Sequence, residues 1–234
     1  MNSPQQRYFV RLTLSQRIQH FILMVSTSLL IITGFMIQAE ASLIASFGQY
    51  GDTVFWLRGW THRIAGVIAI AACVYHIFYS FLSSDGRSWF VDMIPRPKDA
   101  LDVYQNIMFM LGFMDNRPKM DRFFYLEKLE YWSVYFGMII VISTGIVMWT
   151  EGYWPKFYLD VALAFHIGEA TLAALAIIAG HLSFVLYHPH TYPAAKTVLN
   201  GLISEEQAKD EYEGWYEKEM ARLVTEEVRS EEDA

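Results

Sequence analysis

The stretch 62–82, HRIAGVIAIAACVYHIFYSFL, decides the fold. From Ile64 to Leu82 it carries no formal charge. Its length is close to the ~20 residues that cross a hydrocarbon core of about 30 Å. Three more stretches are of the same kind: 20–38 (HFILMVSTSLLIITGFMIQ), 131–150 (YWSVYFGMIIVISTGIVMWT) and 161–187, where Glu169 is the one formal charge. Only a helix satisfies its own backbone in lipid at that length. The fold class expected is therefore all-α, a four-helix transmembrane bundle with spans at about 17–38, 62–83, 128–150 and 160–187. The first run is too long for a cleaved signal peptide and lacks a small-residue cleavage site.

Composition narrows the function. Hydrophobic residues make up 53% of the 234, and charged residues 18%. A net charge of -7 argues against nucleic acid as a partner. Cys73 is the single cysteine, which excludes a disulfide framework, a CxxCH haem attachment and a cysteine-ligated iron–sulfur cluster within the chain. Neither a glycine-rich nucleotide loop nor a nucleophile constellation is present, so no substrate-oxidising centre is expected.

Lysine and arginine set the expected orientation. They gather before the first span (Arg7, Arg11, Arg17), between the second and third, and after the fourth. The other two connections hold few: Arg58 and Arg63 in one, Lys156 in the other. The positive-inside rule puts both termini and the long second connection in the cytoplasm, in a bacterial-type inner membrane. In that connection IPRPKD reads as a turn and ALDVYQNIMFMLGF as a short helix, in the interface or against the bundle. The domain division expected is a four-helix transmembrane bundle over 1–200 and an acidic cytoplasmic tail over 201–234. Twelve of the 25 acidic residues fall within 204–234, which reads as a solvated helix or partly disordered segment. A weak internal echo joins the first and third spans: Thr33-Gly34 and Thr144-Gly145, near the same outer end.

Five of the seven histidines lie in or at the spans: His20, His62, His76, His166 and His181. An ionisable side chain in a membrane is a functional candidate by default, because burial without a partner is costly. His62 and His76 are fourteen apart; His166 and His181 are fifteen apart. These spacings are about 21 and 22 Å of helix and return to within about 40° and 60° of the starting face. An outer layer of His62 and His166 results, and an inner layer of His76 and His181 joined by His20. Two stacked haems with bis-histidine ligation need this arrangement, since each iron takes one axial ligand from either side. A tetrahedral metal site would instead cluster its ligands in one layer. Gly34, Gly66, Gly145, Gly168 and Gly180 suit the approach of a macrocycle, or ordinary helix packing. Arg17, Arg58 and Arg63 suit haem propionates, or interfacial snorkelling. His188 and His190 read as surface residues, with a quinone or proton-entry role as the lesser expectation.

The motifs resemble a known family. RIQHFILMVSTSLLIITGF, HRIAGVIAI and EKLEYWSVYFGMIIVISTGIVMW are similar to the first three helices of the di-haem b-type cytochrome subunits of formate dehydrogenase (gamma subunit) and nickel–iron hydrogenase. HIGEATLAALAIIAGH followed by HPHTYP resembles the last helix of a branch serving periplasmic multihaem cytochromes and thiosulfate- or formate-linked complexes. The resemblance covers about residues 8 to 200. It implies two haems b, the outer held by His62 and His166 and the inner by His20 and His181. Spacing alone favours His76 with His181, so His76 stays an alternative inner ligand or a quinone-side residue. The resemblance also implies a quinone site near the start of the third span, where Tyr125, Glu127, Lys128 and Glu130 are the polar candidates. Where the formate dehydrogenase branch has polar amides, this chain has Phe124 and Glu127.

The function implied is a membrane-anchoring subunit of an oxidoreductase complex. It would pass electrons between a quinone/quinol pool and an outer-face redox subunit bearing iron–sulfur clusters or c-type haems. Direction is open. The rival is a transporter whose histidines relay protons or bind a transition metal.

Overall fold

A computed structural model describes residues 7–38, 42, 45–187 and 192–232. A short strand β1 (Tyr8–Val10) leads into α1 (Leu14–Gln38). Next come α2 (Gly51–Leu82), α3 (Ser84–Met93), α4 (Pro97–Met110) and α5 (Tyr125–Trp149). The fourth span is α6 (Lys156–Leu175), a π-turn (Ala176–His181) and α7 (Leu182–Tyr187). The chain then forms α8 (Thr197–Asn200), β2 (Leu202–Ser204), α9 (Glu205–Glu211) and α10 (Glu213–Glu232).

Four helical stretches are long and apolar enough to cross a membrane: Leu14–Ile37, Gly48–Leu82, Tyr125–Trp149 and Lys156–Tyr187. The largest difference from expectation is α2, which starts at Gly51 rather than near His62. Asp52, Arg58 and Gly59 make that segment look like a loop in sequence. Asp52 in the first turn instead complements the positive end of the helix dipole. The expected turn and short helix of the second connection are present in part: Pro97 opens α4 at its first turn, and Asp99 accepts from Arg96 N at 2.6 Å. The helix α3 before it was not expected.

The chain divides into two compact units, one of residues 14–87 and 134–184. In this unit small and hydroxylated side chains lie inside: Ser26, Thr33, Ala65, Ala69, Ala162 and Ala174 are buried. Phe21, Ile32, Phe78, Phe136 and Leu172 point out, each more than half exposed. Water would not tolerate that surface, whereas lipid solvates it and small residues let helices approach. Inside hydroxyls are satisfied by their own helix, as where Ser26 Oγ donates to Ile22 O at 2.7 Å. At Gly86 the chain turns so sharply out of α2 that a Cβ would lie 1.9 Å from Tyr79 O, which only glycine avoids.

The other unit holds the described residues of 1–13, 88–133 and 185–234. The described part of the acidic tail thus packs with the N-terminal strand in this unit. β2 pairs antiparallel with β1, Phe9 opposite Ile203. Ser204 then caps α9, accepting from Gln207 N at 3.2 Å. Phe9, Ile203, Ala208, Tyr212 and Trp215 form a buried apolar cluster. Acidic composition hid this, because Ala208, Tyr212 and Trp215 are buried while none of the tail's charged residues whose burial is described is buried.

Beside that cluster Arg11 is buried. It donates to Glu127 Oε1 at 2.8 Å and Oε2 at 2.9 Å, and its guanidinium lies 4.0 Å from the Tyr212 ring centroid. Burial alone would lower the Arg11 pKa, but Glu127 and Tyr212 outweigh it and the net direction is up. Burial, then the Glu127 charge, push the Tyr212 phenol well above its usual range. A raised phenol contributes stability that is whole below the ordinary value of about 10 and fades only as pH climbs past it.

Truncation after Ser204 should cost roughly 3 kcal/mol or more for each of Tyr212 and Trp215. Truncation after Thr225 removes residues 226–231, all exposed, with the short end beyond them, and should cost less than about 0.5 kcal/mol. Amide exchange of Tyr8–Val10 in detergent checks this: fast exchange is expected in the first variant and native protection in the second.

Candidate functional site

The unit of residues 14–87 and 134–184 brings the membrane histidines together in twos. His62 on α2 faces His166 on α6, with ring centroids 6.3 Å apart and planes at 60°. His20 on α1 faces His181, at the end of the π-turn, with centroids 6.2 Å apart and planes at 44°. Along the fourth span the two pairs are about 22 Å apart. The separations match a definite chemistry. A metal–nitrogen bond of about 2.0 Å on either side of an iron, plus about 1.1 Å to each ring centre, puts two axial imidazole centroids about 6.2 Å apart. Among the described residues no three or more His, Cys, Asp or Glu side chains gather as a tetrahedral metal site would require.

Hydrogen bonds fix which ring nitrogen faces inward in the first pair. Thr33 Oγ1 donates to Leu29 O at 2.5 Å, and His62 Nδ1 lies 2.8 Å from the same oxygen. With its proton committed to the carbonyl, the hydroxyl can only accept, so Nδ1 carries the hydrogen and Nε2 keeps its lone pair. Thr144 repeats the device. Its Oγ1 donates to Ile140 O at 2.6 Å, and His166 Nδ1 lies 3.0 Å away. The following glycines complete each cradle. A Cβ on Gly145 would come 3.4 Å from His166 Cε1, and one on Gly34 3.8 Å from His62 Cε1. In the second pair His20 Nδ1 is buried with no hydrogen-bond partner among the described residues. Facing imidazoles at this separation, with the Nε2 lone pair turned inward at His62 and His166, are the donor set that haem iron takes, so the residues present fit that group.

Residues 11–201, which hold all the spans and every histidine, match the model of prokaryotic cytochrome b561. The chain belongs to that family. Cytochromes b561 are membrane proteins that bind haem b and carry electrons across the bilayer, and the four apolar helices of this one agree with that. A search of curated proteins gives no match. Membership favours the cytochrome over the transporter reading of the same histidines.

Other expected site residues of the cytochrome are placed as follows. His76 lies 2.8 Å, through Nδ1, from Gln19 Oε1, and Ser80 Oγ is 3.5 Å from its Nε2. Gln19 in turn donates to Ser15 Oγ at 3.1 Å, so His76 belongs to a polar network between α1 and α2. Arg58 donates to Thr33 O at 3.0 Å, and Arg63 lies 5.8 Å from the ring centroids of both Trp60 and Trp149. At Gly168 and Gly180 a Cβ would meet nothing within 4 Å, so helix packing does not demand glycine there. Glu169 rests against α5, where a Cβ on Gly137 would come 2.5 Å from its Oε1.

The quinone candidates lie in the other unit, at the start of α5. Lys128 is buried and paired with Asp99 at 2.7 Å. Glu127 is held by Arg11 and accepts from Phe124 N at 3.1 Å. Both charges are thus committed to ion pairs. Tyr125 OH accepts from Asn106 Nδ2 at 2.8 Å, and Glu130 is half-buried. His188 and His190 lie outside the described residues.

Sequence reasoning missed the work of Thr33 and Thr144, though the repeated Thr-Gly dipeptide was their signal. It also missed the Arg11–Glu127–Tyr212 cluster, which no local pattern announces.

Proposed function

We propose that this cytochrome is the membrane-anchoring di-haem subunit of a larger redox complex, exchanging electrons between a quinone/quinol pool and an outer-face redox subunit. The observation that carries this is the recurrence of one histidine geometry, 6.3 and 6.2 Å between ring centroids, at two levels of one bundle. His62 and His166 would hold the outer haem b, His20 and His181 the inner. Bound there, haem b supplies a reversible one-electron carrier at each level. Thr33 and Thr144 hold Nδ1 of His62 and His166, and apolar side chains surround both histidine pairs.

The chain has no apparent centre for oxidising or reducing a substrate, so that chemistry falls to a partner with iron–sulfur clusters or c-type haems. Resemblance to the formate dehydrogenase, hydrogenase and thiosulfate-linked subunits supports this class of partner. Lysine and arginine placement supports an inner membrane location with both termini in the cytoplasm. The quinone would meet the start of α5, with Tyr125 and Glu130 as contacts and with Glu127 and Lys128 shaping the site through their ion pairs.

Purification in a mild detergent should give sharp b-type bands, two haems per chain by pyridine haemochrome assay, and reduction by a quinol analogue. A co-purifying extracytoplasmic redox subunit is expected in mass spectrometry. A haem-free protein would sink the proposal, as would a haem-loaded chain that never exchanges electrons with quinol.

The threonine bonds can be tested separately. Thr33→Val removes the acceptor for His62 Nδ1–H, which makes the imidazole a poorer donor to ferric iron. A hydrogen bond worth about 0.5–1.5 kcal/mol corresponds to about 20–65 mV for a one-electron couple. Redox titration should find one of the two midpoint potentials raised by that amount, haem content unchanged, and the wild-type potential restored in Thr33→Ser.

A further inference from the structure

Fifteen residues separate His166 from His181, and they are not all α-helical. α6 ends at Leu175, and Ala176–His181 forms a π-turn, in which Leu182 N–H bonds to Ile177 O, five residues back rather than four. A π-turn takes up one residue more than an α-turn, and such turns are uncommon outside functional sites. One residue is about 100° of helix rotation. Were the whole span α-helical, the side chain at 181 would stand about 100° round from its present direction, carried away from His20. In the structure His181 instead lies 6.2 Å from His20, ring centre to ring centre.

We infer that the π-turn Ala176–His181 is the positioning device for the inner haem ligand: it absorbs the one residue by which the fourth span overshoots. The inference rests on the proposed ligation by His20 and His181. The extra residue is best identified with Ile178, which is 59% exposed and so forfeits little packing when it is lost. Gly180, beside the ligand, leaves the turn without a side chain that a change of pitch would drive into a neighbour. α1 offers a contrast, because Leu14–Gln38 is α-helical from His20 to Thr33 and has no slack of this kind.

Single-residue deletions in the full chain test the inference. Deleting Ile178 should let the π-turn relax to an α-turn with His181 still facing His20. Two haems per chain should remain, with the inner haem's low-spin ferric electron paramagnetic resonance signal present and shifted by a small change in the 44° ring angle. Deleting Val25, in the unbroken helix between His20 and Thr33, should reduce haem content. Inserting one alanine after Ile178 should lower haem from two to one per chain. Loss of the inner haem on deletion of Ile178, as severe as in the insertion variant, would overturn the inference. If His181→Ala in the otherwise native chain kept both haems, the ligation itself would fail, and that outcome is distinct from the first.

Discussion

Replacing His62 or His166 by alanine should take the haem content from two per chain to one, and either variant should lose the same haem. The two rings face each other at 6.3 Å, and each is tied at Nδ1 to a threonine of a neighbouring helix. Removing one ring would leave a haem bound there with a single histidine donor, and leaves Thr33 or Thr144 without its partner. The remaining His20–His181 pair is about 22 Å away along the fourth span and shares neither hydrogen bond. It should keep its haem and its potential. Pyridine haemochrome stoichiometry and redox titration of the two variants side by side check this. Two haems per chain in either variant would show that iron is held elsewhere. The threonines add an internal control: in His62→Ala the Thr33→Val substitution should have no further effect on any midpoint potential, because the bond it removes is already gone.

Why the outer pair was legible in the sequence while its support was not follows from distance along the chain. A histidine in an apolar run is conspicuous by itself, and the long runs fix the helix that carries it. The bond from Thr33 to His62 joins residues 29 apart, and that from Thr144 to His166 residues 22 apart. Only the repeated Thr-Gly pair hinted at a common role. The spans were readable because lipid enforces length and apolarity on each helix separately. The packing of the tail's first turns was not legible for the converse reason. The tail's charge count is a sum, while the packing of Tyr212 and Trp215 against Phe9 depends on which side of α9 and α10 each residue takes. Arg11 shows the same limit: it counts toward the positive-inside pattern, yet its charge is neutralised by Glu127, 116 residues away.

For the inner pair, His181→Ala and His20→Ala should each remove the second haem, whereas His76→Ala should not. Spacing alone favours His76 and the family resemblance favours His20, and both fall at the same depth of the bundle. Contacts distinguish them. His20 faces His181 at 6.2 Å with a buried Nδ1, while His76 is engaged through both ring nitrogens with Gln19 and Ser80. A ligand needs one nitrogen free to donate to iron, and His76 would have to abandon Ser80 and turn away from Gln19 to provide it. Because Gln19 adjoins His20 in α1, His76→Ala should still be felt. The expected result is two haems per chain with a modest shift in the inner midpoint potential, reproduced by Gln19→Leu and absent from the outer haem. Loss of the inner haem in His76→Ala together with its retention in His20→Ala would reverse the pairing. In that case the ring separation between His20 and His181 would be a packing distance, and the fourth span would have to turn His181 toward α2 to find its partner.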